Sequence, residues 1–363
     1  MEQGESAPPR RETWLYAFIG IMVFTIGMML VSFPVGVYTV FATHLSNNYT
    51  ASSAIRAINY ELFFSNIQIP VSGTLGGAFI VASAVYLVFV VLAAKQGTGV
   101  LRSFKQSLSS GYGALFTNPL AATLILLGAT NLVTLVVDTA QTTAGVSTGS
   151  LSGDPFTLLV DFTLAPLLEE SEFRLILIGI PVLLIFVVMT RTFSPRRLLN
   201  VLWRPSAAWD TDETEEDSAP ASFQTTGPWL FPPGSDSLKI KAIRPVILVF
   251  LVLSSIMFGY AHYAAGSGWE PGKISEAALA GLALGYLFIK YGFHTNVLLH
   301  WSIDFVGTVY SFFGQGVQGV PWTSSAGSWL DVVPTVDMVF LLGVPSTVIV
   351  GAELLKRFRR PSA

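Results

Sequence analysis

Apolar residues fill this chain in runs too long for the buried stripe of a soluble helix. A bilayer core about 30 Å thick needs about 20 such residues per helix. On that measure eight runs qualify, near 14–41, 69–94, 114–137, 156–190, 245–263, 274–290, 293–314 and 332–354. The pattern predicts an all-α, polytopic transmembrane helix bundle of about eight spans, one integral membrane domain over residues 1–363. The first run follows Arg10 and Arg11 and is longer than the apolar region of a signal peptide, so it reads as a retained span.

Polar positions fall between the runs, and their charges alternate. Lys and Arg gather at Arg10 and Arg11, at Lys95, Arg102 and Lys105, at Arg191, Arg196, Arg197 and Arg204, and at Lys356 to Arg360. The positive-inside rule then predicts a multi-pass cell-membrane protein with both termini cytoplasmic. Residues 205–237, with the acidic run Asp210 to Asp217, hold too little apolar content to fold alone. They are expected to form a disordered acidic cytoplasmic insert.

Composition narrows the chemistry. Hydrophobic residues make up 52% and charged residues 12%, against about 25% charged in a soluble domain. Mean hydropathy is +0.59. A net charge of -3 argues against a nucleic-acid partner, which would need a basic stripe to neutralise phosphates. With no cysteine, thiolate nucleophiles, disulfides and thiolate zinc sites are excluded. Catalysis would have to use carboxylates, histidines or hydroxyls.

Those residue types occur inside the apolar runs. Asp154-Pro155 reads as a helix start. The span beyond it passes from Leu164-Ala165-Pro166-Leu167-Leu168 into Glu169-Glu170-Ser171-Glu172-Phe173-Arg174 and returns to apolar residues up to Met189. An ionised side chain at the bilayer centre costs about 2.5–3.5 kcal/mol on insertion scales, so the group implies a penalty on the order of 10 kcal/mol unless it pairs or neutralises.

Glu170 and Arg174 are spaced i, i+4 with the carboxylate first, the favourable order for an intrahelical ion pair. They read mainly as structure. Glu169 lies about 100° around the helix, where a desolvated carboxylate suits a general base. Pro166 should kink this helix, and the span should break at Gly179 and Pro181. Glu172 is a further carboxylate with no role assigned.

Two more pairs follow at the same spacing, Phe258 with His262 and His300 with Asp304, each on one helical face. Asp304 can orient the His300 imidazole by accepting its ring N–H. His44 and His294 fall near span ends and read as structural.

Together these residues resemble the CPBP or Abi group of intramembrane proteases, which includes the type II CAAX prenyl endopeptidases. Its motifs EExxxR, FxxxH and HxxxN or HxxxD match at Glu169, Glu170 and Arg174, at Phe258 and His262, and at His300 and Asp304. Pro166, Phe173, Gly281 and Gly285 agree as well, and the resemblance spans about 114–314. Leu175 stands where Gly is common after the Arg, and Asp304 where many members have Asn.

The resemblance implies a metal-independent glutamate-type endopeptidase with no cofactor, acting at the lipid bilayer on a membrane-anchored peptide or protein, of which a prenylated CaaX tail is the best-known case. Glu169 and His262 would activate a water, and His300 with residue 304 would stabilise the oxyanion. An ionised Asp304 would repel an oxyanion, so here it is expected to orient His300. A zinc protease with Glu169, His262 and His300 as ligands, a non-catalytic membrane scaffold or immunity protein, and a transporter or proton relay are the alternatives.

Overall fold

The computed structural model describes residues 13–62, 65–191, 193–209, 230, 238–266, 268–323 and 329–358. The acidic run and most of the expected insert, as well as Arg10, Arg11 and the end of the basic tail, lie outside them.

The chain is a helical bundle. After α1 (Thr13–Ala42), a hairpin of β1 (Ala54–Leu62) and β2 (Ser65–Thr74) leads into α2 (Leu75–Lys95) and the short α3 (Val100–Ser110). The next long helix is α4 (Pro119–Thr143). One continuous helical rod then comprises α5 (Pro155–Glu170), a π-helical stretch Ser171–Gly179 and α6 (Ile180–Thr190). The short α7 (Pro195–Trp203) precedes α8 (Leu238–Ala264) and α9 (Gly272–Tyr291). The bundle closes with α10 (Phe293–Trp301), a π turn Ser302–Val306, α11 (Val309–Gln318), α12 (Trp329–Thr335) and α13 (Gly343–Phe358).

Seven helical stretches among the described residues are long and apolar enough to cross a membrane. The expected span at 293–314 is not one of them. It is divided into α10, the π turn and α11, and every residue of α10 is buried. This helix is walled by protein rather than lipid, so a lipid-like run of residues is not required of it.

Three local features depart from the expected boundaries. The span predicted from residue 69 begins at Leu75, because the stretch before it alternates in the period of a strand and Pro70 and Gly73 disfavour helix. The break expected at Gly179 and Pro181 is absent. Pro181 falls in the first turn of α6, where its missing N–H is cheap, and the π turns before it carry the rod through with wider hydrogen-bonded loops. Finally, Pro205–Ala208, assigned to the insert, form a buried 3-10 turn in which Ser206 Oγ donates to Lys290 O at 3.2 Å.

The α2–α4 joint rests on Asn118. Its carbonyl oxygen accepts from Ala121 N at 3.1 Å, capping α4, while its amide donates to the carbonyls of Ala93, Ala94 and Gln96 at the end of α2. One side chain therefore satisfies orphan groups at two helix termini.

The helices around the charged cluster pack through glycines, Gly281 and Gly285 among them. A Cβ on Gly281 would lie 3.0 Å from Ser255 Cα, and one on Gly285 would overlap Leu251. Gly259, on α8, is tighter still, since its Cβ would overlap the carbonyl oxygen of Ile274 on α9. We expect Gly259→Ala to push α8 from α9 at a cost of about 1–3 kcal/mol, seen as a Tm several degrees lower in detergent. An unchanged Tm would show that the two helices do not meet there.

Candidate active site

Glu170 is the centre of the buried cluster. It sits at the last position of α5 and is fully buried, as is Arg174 one turn on. Arg174 Nε lies 3.1 Å from Glu170 Oε2. The other face of the guanidinium is held by α8 and α9: Nη2 donates to Gly281 O at 3.3 Å, and Cζ stands 4.4 Å from the Phe258 ring centroid. Gly281 also lets α8 come close, since a Cβ there would lie 3.0 Å from Ser255 Cα and 3.4 Å from the guanidinium Nη2.

Two residues of α10 complete the shell of Glu170. Asn296 donates its amide to Glu170 Oε2, and His300 Nδ1 lies 2.8 Å from Oε1. Glu170 is thus more than half of an ion pair. It ties the π stretch to α10 and fixes the imidazole that the site presents. Asn296 escaped the sequence reading, although it stands one turn before His300 and completes a stripe of Asn296, His300 and Asp304 at four-residue intervals.

The second nitrogen of His300 faces carboxylates as well. Nε2 is 3.1 Å from Asp304 Oδ2 and 3.8 Å from Glu169 Oε2. Acceptors on both sides are satisfied by N–H on both nitrogens. Behind the ring, Trp301 is fully buried and stacks with Phe33 from α1 and Tyr86 from α2, centroids 4.9 and 5.0 Å apart. The first two spans, which the motif resemblance does not reach, therefore back the site.

Glu169 differs from its neighbour in exposure. Its side chain is 33% exposed, against 0% for Glu170. Its Oε2 has no hydrogen-bond partner among the described residues. Oε2 is itself buried, so this carboxylate has an oxygen that is shielded from solvent yet committed to no partner. Pro166 is buried three residues before it, and Tyr86 Oη donates to Thr163 O at 2.6 Å, pinning α2 to that turn.

His262 enters through Phe258. The Phe258 ring touches both imidazoles, with centroids 4.6 Å from His262 and 5.5 Å from His300. His262 Nδ1 is 2.9 Å from Phe258 O. A carbonyl only accepts, so Nδ1 carries the proton and Nε2 keeps a lone pair. Ser254 Oγ donates to Phe173 O at 2.6 Å and fixes α8 against the π stretch, setting the height of this histidine.

The remaining candidates lie elsewhere or lack an assigned part. His294 is buried against Trp203, whose Nε1 donates to its Nδ1 at 3.3 Å, and His44 is exposed beside Asn47. Glu172 is buried on the π stretch. Among the described residues no three His, Asp or Glu side chains form a group that could hold a metal ion.

Residues 151–306 match the family model described as type II CAAX prenyl endopeptidase Rce1-like. That stretch contains every residue of the cluster, and over it the chain is similar to the CPBP/CAAX protease family. The family implies a CAAX-type intramembrane protease in general terms, and the apolar helices make this a multi-pass membrane protein. No curated protein and no solved structure matches the chain.

Proposed function

We propose, taking the family assignment of residues 151–306 as the premise, that this chain is a metal-independent glutamate-type endopeptidase. Its substrate would be a membrane-anchored polypeptide, prenylated CaaX-type tails included. The observation that carries the reading is the division of labour between adjacent carboxylates: Glu170 is saturated by Arg174, Asn296 and His300, whereas Glu169 keeps an unbonded oxygen beside His300.

In this mechanism a water donates one hydrogen bond to His262 Nε2 and another to Glu169. Glu169 takes a proton as the water oxygen attacks the scissile carbonyl carbon. The resulting oxyanion is met by the Nε2–H of His300, which it shares with Asp304, while Nδ1–H stays on Glu170 and holds the ring in place. Asp304 holds that ring rather than meeting the oxyanion. As the C–N bond breaks, Glu169 returns the proton to the leaving amine. Asn296, Glu170 and Arg174 are positioning residues. Both termini lie on the cytoplasmic side in this reading.

The test is purification in detergent and assay against a panel of prenylated and unprenylated peptides, with and without a strong chelator. Cleavage that survives chelation and metal stripping is expected. Loss of cleavage on stripping, restored by zinc, would replace this reading with the Glu169, His262 and His300 zinc site. No cleavage of any peptide would favour the scaffold.

A further inference from the structure

The β1–β2 hairpin lies at the height of the charged cluster. Tyr60 Oη, near the end of β1, is 3.0 Å from Ser171 Oγ, the residue that follows Glu170. Ser171 is close to the middle of the 36-residue apolar stretch Pro155–Thr190, about 24 Å from its first residue at 1.5 Å per residue. A strand of 9 residues covers about 30 Å, enough to run from the start of α2 to that depth.

Backbone amides have no water to bond with in the hydrocarbon region. Open sheet edges survive there only when protein covers them or they line an aqueous cavity. This sheet has two strands among the described residues, and so two edges. Its faces are also unlike each other. Tyr60 pairs with Ile67 and Ile58 with Ile69, while Asn59 pairs with Gln68. Directly paired residues share a face, so Ile67 and Ile69 point to the side on which Tyr60 meets Ser171. Yet both are 43% exposed. An apolar, exposed strip of β2 thus shares the face by which β1 reaches Ser171, two residues after Glu169.

We propose that the free edge of β2 receives the substrate polypeptide as a third, extended strand, with apolar side chains at alternate positions laid against Ile67 and Ile69. Strand addition supplies affinity through main-chain hydrogen bonds and selectivity through every second side chain. It also presents the peptide extended, with its amides satisfied inside the bilayer, beside Glu169. The inference rests on the protease reading for what the bound peptide is, but binding can be measured without cleavage.

A photoreactive phenylalanine analogue would replace Ile67 in the full chain, and separately Val91, which is 50% exposed on α2. The probe is a labelled farnesylated peptide ending in Cys-aliphatic-aliphatic-X, tested in the wild-type and Glu169→Gln backgrounds. We expect crosslinking from position 67 and not 91 in both backgrounds. Unlabelled peptide should compete, and N-methylating two alternate backbone amides should weaken competition roughly tenfold or more, as the loss of one or two hydrogen bonds requires. Cleavage without crosslinking at 67, equal competition by the N-methylated peptide, or crosslinking there only to lipid or a second copy would each overturn strand docking and leave the protease reading standing. Crosslinking without cleavage would support docking and overturn the protease reading.

Discussion

Glu169→Gln is expected to lower peptide hydrolysis by about 10²–10⁴-fold, the usual contribution of a positioned general base, and to leave Tm unchanged. Glutamine keeps the shape and can still hydrogen-bond, but it cannot take a proton from water. Stability should hold because Glu169 is a third exposed and its Oε2 contributes no hydrogen bond among the described residues. Turnover and melting measured on the same preparation decide the matter. A variant that cleaves at the wild-type rate would remove Glu169 from the mechanism. One that melts early would make it a structural residue.

Arg174→Met should do the opposite, unfolding the site rather than silencing it. Removing one member of a buried ion pair strands its partner at a cost of about 3–5 kcal/mol. Glu170 would retain Asn296 and His300 but lose its guanidinium, and the bridge from the π stretch to Gly281 O would go with it. The expected result is a markedly lower Tm and a smaller folded fraction after detergent extraction. Adding Glu170→Gln should recover much of the loss, since the pair is then replaced by neutral groups. If the double variant is no more stable than Arg174→Met alone, the two side chains are not coupled.

The helical pairs of the site are legible in the sequence because i, i+4 spacing and apolar surroundings are local properties. Glu170 with Arg174 and His300 with Asp304 can be placed on common faces before any fold is known, and both pairs are in contact in the structure. What joins the pairs to one another is not local. Glu170 grips His300 across 130 residues of chain, a contact that no spacing rule contains. Asn296 is passed over because a search for charges inside lipid ignores a neutral amide. The hairpin is missed for another reason. A window wide enough to find a membrane span averages away the two-residue alternation of Asn59 to Ile69, and Ile67 to Val71 then merge with the apolar run of α2.

The segment from Phe293 to Gln318 has a consequence for how the protein is made. It carries Asn296, His300 and Asp304 and is the expected span that the fold divides into short helices. Its polar side chains are costly to expose to lipid during synthesis. The aromatic wall from α1 and α2 and the carboxylate on α5 that contact this segment all precede it along the chain. We therefore expect the candidate site to be completed late, in a berth prepared by segments already synthesised, and errors in those early segments to appear first as failed integration of α10.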